Sequence, residues 1–486
     1  MIIINPLREV GLVRFRVPSL WKSLLFGSQI ADVYLQPHIG GDVALLKALL
    51  KGVVETGAID AEFVRDHTMG WDAVLADLAA AHWDDLVRAS GVPRSEIDAA
   101  VRVLAASKRG IFLWAMGLTH HMFGVDNIFA LCNLALARGW LGRKGCGLVP
   151  IRGHSNVQGV GSMGVSPQLR EAFAKNLEAL YGITATGGGQ DTYSSMTAAH
   201  EGRIIVAFLL GGNLFASNPD RAWSASALRK IPTTVYVTTK LNEGHVHGRG
   251  QVTLILPVLA RDEEGQATTQ ESMFNYVRLS EGGVPAIKGD LRSEVEVIAS
   301  LAERILPPGR FDWSAMRSHK KLREEIARAV PGFSAIDRIE GDGELQIEGR
   351  TFHEPLFRTS DGKAHFHPTP VPEREAKDGE FLLMTIRSEG QFNTVVYEEE
   401  DVYRGNRRDV VMMSKEDADA LGAGEEDRVI VETDAGSMTL HVSLAEIRPG
   451  NIAAYYPEAN ALVPRRVDPR SKTPAFKSVV ARVRKA

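Results

Sequence analysis

Residues 204–210 read Ile-Ile-Val-Ala-Phe-Leu-Leu, a wholly apolar run, and no other stretch narrows the possible folds so far. A run of this length and composition predicts a strand. The tight turn Gly211-Gly212-Asn213 follows, Asn218-Pro219 places a proline in the first turn of a helix, and residues 235–237 open the next strand. Strand, loop, helix and strand in this order predict a crossover of the doubly wound type. Ligands of such sheets bind beyond the carboxyl ends of the strands, so Gly212, Asn213, Asn218, Thr238 and Thr239 are candidate binding residues at one edge. Taken alone, Gly-Gly-Asn is equally an ordinary turn.

Residues 126–167 begin as an amphipathic helix and end as a glycine-rich polar loop. Asp126 is placed to cap the first turn, Ile128, Leu131, Cys132, Ala135 and Leu136 share one stripe, and Gly139 supplies a left-handed stop. From Gly145 to Gly164, six glycines separate Arg152, His154, Ser155, Asn156, Gln158 and Ser162. Backbone can approach a ligand closely there. No Asp or Glu lies between Asp126 and Glu171, whereas Arg138, Arg143, Lys144, Arg152 and Arg170 do, so the local field favours an anion such as a phosphate or a small carboxylate. A mobile surface loop with ordinary surface charges is the alternative reading.

The chain opens on the apolar run 2–4 followed by Asn5-Pro6, and residues 33–35 form a second short strand. A helix over 43–54 carries Leu45, Leu46, Leu49 and Leu50, and Asp42, after Gly41, either caps it or meets a ligand. Several helices fill 60–106, interrupted near Gly91-Val92-Pro93, before a strand within 108–116. Residues 340–380 turn polar and proline-rich, as a linker does. Beyond them, short β-forming runs at 381–386, 410–413, 428–432 and 438–443, with one helix over 415–421 capped by Ser414, predict a compact β-barrel.

At 486 residues the chain exceeds one hydrophobic core. The expected division is a partial α/β domain over 1–150, a second α/β domain over 151–340, a linker over 341–380 and a barrel over 381–486. A formal charge of −4 without a basic–aromatic pattern argues against nucleic acid, and no apolar run reaches membrane length. With no leader pattern at the start, the expectation is a cytoplasmic protein. Cys132 and Cys146 are too few for an iron–sulfur or zinc framework and read as small buried apolar groups. His245 and His247 lack a third ligand at useful spacing, and a polar loop accounts for them, so no residue is assigned to a metal.

The run 117–159, ending Arg152-Gly153-His154-Ser155-Asn156-Val157-Gln158-Gly159, resembles the molybdopterin oxidoreductase superfamily, specifically its formate-dehydrogenase-like alpha subunits. Those proteins carry Arg-Gly-Gln-x-Asn-Val-Gln-Gly at the metal, and His154 stands in place of the Gln. Gly40-Gly41-Asp42, Gly211-Gly212-Asn213, Asn218-Pro219-Asp220, Thr238-Thr239 and Leu256-Pro257 follow the superfamily order. Arg387 with Gln391, Asn393 and Thr394, then Pro457-Glu458-Ala459-Asn460, resemble the signature and closing loop of its dinucleotide-binding barrel. Residues 270–278 resemble the less characterised branch of these proteins.

The resemblance implies doubly wound α/β domains with a C-terminal double-psi-like barrel. It implies a bis-molybdopterin guanine dinucleotide carrying molybdenum or tungsten, held by Asn5, Gly41, Asp42, Gly212, Asn213, Asn218, Thr238, Thr239, Arg387, Gln391, Asn393, Thr394 and Asn460. Arg152 would hold a small anionic substrate and His154 would relay a proton. The elements at the start of the chain lie well inside superfamily members. The portion bearing an iron–sulfur cluster and the metal-ligating Cys or selenocysteine is therefore expected outside this chain. The corresponding partners are an N-terminal polypeptide or an electron-transfer subunit, and the alternative function is a non-catalytic pterin-binding fragment.

Overall fold

A computed structural model describes residues 1–486 apart from Thr186, Lys288 and Thr351. The chain forms two compact units, one of Met1–Val149, Ser217–Arg221 and His353–Ala486, the other of Pro150–Ala216 and Ala222–Phe352.

In the first unit, helix Asp42–Glu55 is buried on every side, from Val43 and Leu46 to Leu49 and Val53. A helix that is apolar all round needs neighbours all round. Helices Trp83–Ser90, Arg94–Ala106 and Gly124–Ala137 supply them. The one buried cation on it, Lys47, reaches Asp77 at 2.8 Å. A Cβ on Gly52 would lie 2.5 Å from Val101 Cγ2, so glycine sets how closely helix Arg94–Ala106 approaches. Strand Ile2–Ile4 pairs in parallel with Val33–Leu35 beside this layer.

Helix Gly124–Ala137 begins two residues earlier than the sequence suggests, so Asp126 sits within its first turn instead of capping it. Its carboxylate pairs with Arg470 at 2.6 Å. Gly139 takes φ +61°, the expected left-handed stop. The proline-rich segment runs over this layer. Strand Ala364–His365 pairs with Thr68–Met69, Phe366 packs 4.8 Å from the Trp71 ring, and the Asn133 amide holds both the carbonyl (2.7 Å) and the N–H (3.1 Å) of His367.

The same unit contains a closed barrel of six strands in the order Phe381–Ile386, Asn451–Tyr455, Val410–Met413, Gly436–Leu444, Arg428–Thr433 and Val479–Lys485. Two pairs are parallel, Phe381–Ile386 with Asn451–Tyr455 and Val410–Met413 with Gly436–Leu444, and the rest are antiparallel. Closure leaves no open edge. Leu383, Val411, Met413, Val429 and Ile452 fill one cluster, while the alternate residues Leu382, Met384, Val410, Met412 and Tyr455 form another with Leu7, Ile39 and Ile447. Burial on both faces explains why Phe381–Ile386, Val410–Met413 and Asn451–Tyr455 are largely apolar. Strands Asn451–Tyr455 and Val479–Lys485 add to the four predicted ones. Helix Lys415–Ala420 is capped by Ser414, as expected.

In the second unit, strands Val252–Pro257, Thr233–Thr238 and Val206–Leu210 lie side by side and parallel in that order. The expected crossover is present with one change. Asn213 Oδ1 accepts from Ala216 N at 3.0 Å and starts the short helix Leu214–Ser217, so the main helix is Arg221–Arg229 and Pro219 precedes it. Met196, Phe215, Trp223 and Leu228 form the core of this region. A separate antiparallel sheet, Thr268–Glu271, Tyr276–Ser280 and Glu344–Gln346, closes over Val277, Phe333, Ile336 and Ile347. Doubly wound α/β layers with a C-terminal barrel are thus the architecture. No helix among the described residues is long and apolar enough to cross a membrane.

Gly52→Ala should lower unfolding free energy by about 1–3 kcal/mol, the usual cost of overpacking, despite alanine's better helix propensity. Val101→Ala in the same chain should recover part of that loss in a denaturant-monitored double-mutant cycle.

Candidate functional site

The glycine-rich loop folds as the strand Gly147–Pro150, a polar connection, and the short helix Val157–Ser162. Asn156 takes a left-handed φ of 60° and its Oδ1 accepts from Glu271 N at 3.0 Å. A Cβ on Gly159 would come 2.0 Å from that same Oδ1, so the bend and the glycine require each other. Ser162 receives Arg350 Nη2 at 2.9 Å, and Arg350 also pairs with the buried carboxylate of Glu271. One ion pair therefore anchors both ends of the helix turn.

Beside this turn lies a cavity of about 280 Å³ lined by Arg152, Arg170, Gln158, Ser162, Gln168 and the ring of Phe173 among others, with no Asp or Glu in its lining. Among the described residues, no carboxylate forms an ion pair with Arg152 or Arg170. Two guanidinium groups and several amide and hydroxyl groups around a small space suit an anion. His154 is half-buried in the same loop but is not among the residues lining the cavity.

A second group sits at the carboxyl ends of the parallel strands. Gly211 and Gly212 take φ of +67° and +74°, a turn that side chains would strain. Asn213 is buried and caps the short helix, Thr238 is buried with its hydroxyl on Lys240 O at 2.9 Å, and Thr239 is exposed. Asn242 Nδ2 donates to Gly212 O at 3.1 Å and completes the edge. His245 and His247 lie on the helix Gly244–His247, with the His245 ring 4.6 Å from Tyr236. No group of three metal-ligating side chains occurs among the described residues.

The remaining candidates belong to the first unit. Asn5 Oδ1 accepts from Leu7 N at 3.2 Å and turns the chain after the first strand. A Cβ on Gly41 would lie 2.9 Å from the carbonyls of Ala89 and Ser90. Asp42 opens helix Asp42–Glu55 and is buried, which pushes its carboxyl up to about 7. His121 Nε2 lies 3.9 Å from it but bonds Gly117 O at 2.8 Å, and burial pulls this imidazole down to about 4. A neutral His121 makes this contact no ion pair at pH 7.

At the barrel, Arg387, Gln391 and Asn393 converge. The Arg387 guanidinium lies 4.7 Å over the Tyr456 ring and Nη2 donates to Asn393 Oδ1 at 3.4 Å. Gln391 Nε2 donates to Asn393 O at 2.6 Å and Tyr456 O at 2.8 Å, and Tyr456 Oη donates to Asn393 Oδ1 at 2.8 Å. Thr394 follows in the same turn, half-buried. Tyr456 and Arg408, whose Nη2 donates to Tyr456 O at 2.7 Å, were not anticipated, although Tyr456 adjoins the predicted 457–460 loop. Asn460 is fully buried in that loop, and its carbonyl accepts from Asp220 N at 3.2 Å, which joins it to the Asn218-Pro219-Asp220 turn.

Comparison with known proteins adds to this geometry. Residues 381–480 match the Molydopterin dinucleotide binding domain. An uncharacterized oxidoreductase of Mycobacterium tuberculosis strain H37Rv is 35% identical over 516 residues, with 99% of this chain and 66% of that protein covered. Protein YdeP of Escherichia coli K12 is 32% identical over 514 residues, covering 99% and 68%. The alpha subunit of F420-dependent formate dehydrogenase 2 of Methanococcus maripaludis is 25% identical over 488 residues, covering 94% and 70%. Acetylene hydratase from Pelobacter acetylenicus shares the fold with a TM-score of 0.72 at 15% identity, over 100% of this chain and 74% of that one. The chain thus spans about two thirds of the length of the relatives it matches.

Arg350→Met should leave the Glu271 carboxylate buried and unpaired and cost about 3–5 kcal/mol in denaturant unfolding. Because the Asp42 pKa is raised in the folded state, its contribution to stability is present below its ordinary value of 3.8 and is lost as pH rises to about 7. Asp42→Asn should therefore show a flatter stability profile than the unsubstituted protein between those pH values.

Proposed function

The chain belongs to the molybdopterin-dinucleotide-binding oxidoreductases, in the branch that holds YdeP, and on that premise we propose that it binds a bis-molybdopterin guanine dinucleotide and acts in two-electron oxidation or reduction of a small anionic substrate. The observation that carries this reading is the carboxylate-free cavity at Arg152. In this reading residues 381–486 form the dinucleotide-binding domain, and 1–150 and 151–340 the two α/β domains.

The residues present fit such a cofactor by the chemistry of their donors. Glycine turns of positive φ at Gly211 and Gly212, where a Cβ would meet nothing, leave backbone open to a ligand. Arg387, Gln391 and Asn393 offer charged and amide groups for phosphates and base edges. Asn5, Gly41, Asp42, Asn218, Thr238, Thr239, Thr394 and Asn460 are the further proposed contacts. Molybdenum or tungsten on the bound pterins would supply the two-electron chemistry.

The chain's own residues then have separable tasks. Arg152 holds the substrate anion by charge-assisted hydrogen bonds, with Arg170 adding to the field. His154 relays a proton. The formate dehydrogenase relative supports a small carboxylate such as formate, and His154 in place of Gln leaves room for another small anion. That relative is named a subunit, which supports an electron-transfer partner for this chain.

The deciding measurement is the metal and guanine-nucleotide content of protein purified without oxygen from a host that makes the cofactor. About two guanine nucleotides and about one molybdenum or tungsten per chain are expected; the absence of both would refute the cofactor reading. Arg152→Ala should leave that content unchanged and lower kcat/KM for the anionic substrate roughly 10–100-fold, the worth of a hydrogen bond to a charged group.

A further inference from the structure

Between strands Ile2–Ile4 and Val33–Leu35 the chain makes an excursion that is built inside out. Its base is fixed: Arg8 N donates to Glu446 O at 3.0 Å, the Glu9 carboxylate pairs with Arg404, and Ile30 N closes back on Val13 O at 3.0 Å. Strands Arg14–Phe15 and Ser28–Gln29 pair antiparallel, and helix Trp21–Phe26 lies in the connection. The centre of this hairpin is polar. Ser23 is buried, and its hydroxyl accepts from Val17 N at 2.9 Å and from the Ser28 hydroxyl at 2.7 Å while donating to Phe15 O at 3.4 Å. Arg14 Nη1 donates to Phe26 O at 2.9 Å.

The apolar side chains lie outside. Phe15, Leu20, Trp21, Leu24, Leu25 and Phe26 are all exposed. Single exposed apolar residues are ordinary on a surface, but six within twelve residues, on a hairpin that its own hydrogen bonds hold in shape, form a patch that calls for a partner. Hydroxyl and backbone groups satisfied within and hydrocarbon without is the arrangement that an apolar surrounding selects, because no water is at hand there for polar groups.

Charge on the excursion has one sign. No Asp or Glu occurs between Glu9 and Asp32, whereas Arg14, Arg16 and Lys22 are exposed. The Lys22 ammonium lies 5.6 Å from the Trp21 ring centroid, so cation and aromatic share one place. Two copies of this surface would set like charges against each other, which opposes self-association. A lipid surface with anionic headgroups complements both features, with hydrocarbon for the apolar side chains and phosphates for the cations.

We propose that residues 10–29 are an interfacial anchor that seats the chain on an anionic membrane surface. Trp21, Leu25 and Phe26 enter the boundary between headgroups and acyl chains, while Arg14, Arg16 and Lys22 lay their methylene stems there and keep their charges among the phosphates. The helix has only six residues, so the hairpin lies on the membrane and does not cross it. The anchor is independent of what fills the cavity at Arg152.

The test is co-sedimentation of the full chain with vesicles of phosphatidylcholine, alone or mixed with phosphatidylglycerol. Binding to the mixed vesicles should be roughly 100-fold tighter, the worth of three cations at an anionic surface, and should fall as salt is added. Trp21→Glu with Leu25→Glu should abolish it without lowering the unfolding temperature, since both side chains are exposed in the free protein. Arg16→Gln with Lys22→Gln should weaken binding to the mixed vesicles roughly 10–100-fold and leave that to phosphatidylcholine unchanged. Equal affinity for the two kinds of vesicle, binding to neither, or binding that survives Trp21→Glu with Leu25→Glu would overturn the anchor. Sedimentation velocity without lipid addresses the other occupant: a concentration-dependent dimer lost in Trp21→Glu with Leu25→Glu, in a chain that ignores vesicles, would overturn the anchor and assign the surface to a second copy.

Discussion

Helix Asp42–Glu55 has no solvent face, and in the first unit the other helices take their places from that fact. An apolar cylinder in water is satisfied only when it is enclosed. Trp83–Ser90, Arg94–Ala106 and Gly124–Ala137 enclose it, and Gly52 sets how near the second of these can come. The enclosure also reaches the helix's first residue. Asp42 is carried into the interior with the rest, its carboxyl raised to about 7 because water is excluded. A packing requirement along the helix thus fixes the electrostatic state of a candidate ligand contact at its end.

The barrel obeys a related constraint. Strands Phe381–Ile386, Val410–Met413 and Asn451–Tyr455 are buried on both faces, with alternate residues serving two different cores. Asn451, fully buried, ties the outer core to the start of the chain by accepting from Ile39 N at 2.9 Å and meeting His38 Nδ1 at 2.9 Å. A buried amide with its partners in place resists slippage between the segments it joins. In the second unit, Arg350 and Glu271 play the corresponding part for the glycine-rich loop, which holds the turn next to Arg152.

Charge is distributed unevenly over the molecule. Paired cations, such as Lys47 and Arg350, hold elements in place. Arg152, Arg170, Arg387 and Lys477 have no carboxylate at ion-pair distance among the described residues, and they occur at the cavity and at the barrel end.

By itself the sequence determined the class of fold, since the apolar run at 206–210, the Gly-Gly turn and the strand that follows admit little but a parallel crossover. It also determined the glycine stop at Gly139 and the Ser414 cap, because these are set by residues near one another in the chain. The start of helix Gly124–Ala137 and the place of Pro219 were decided otherwise: Asp126 is claimed by Arg470, and an extra turn of helix is capped by Asn213. Lys477 shows the limit most clearly. Its neighbours Thr385 and His120 are remote in sequence, so no local pattern could reveal it, and only the tertiary structure brings its charge beside Arg387 with no carboxylate at ion-pair distance among the described residues.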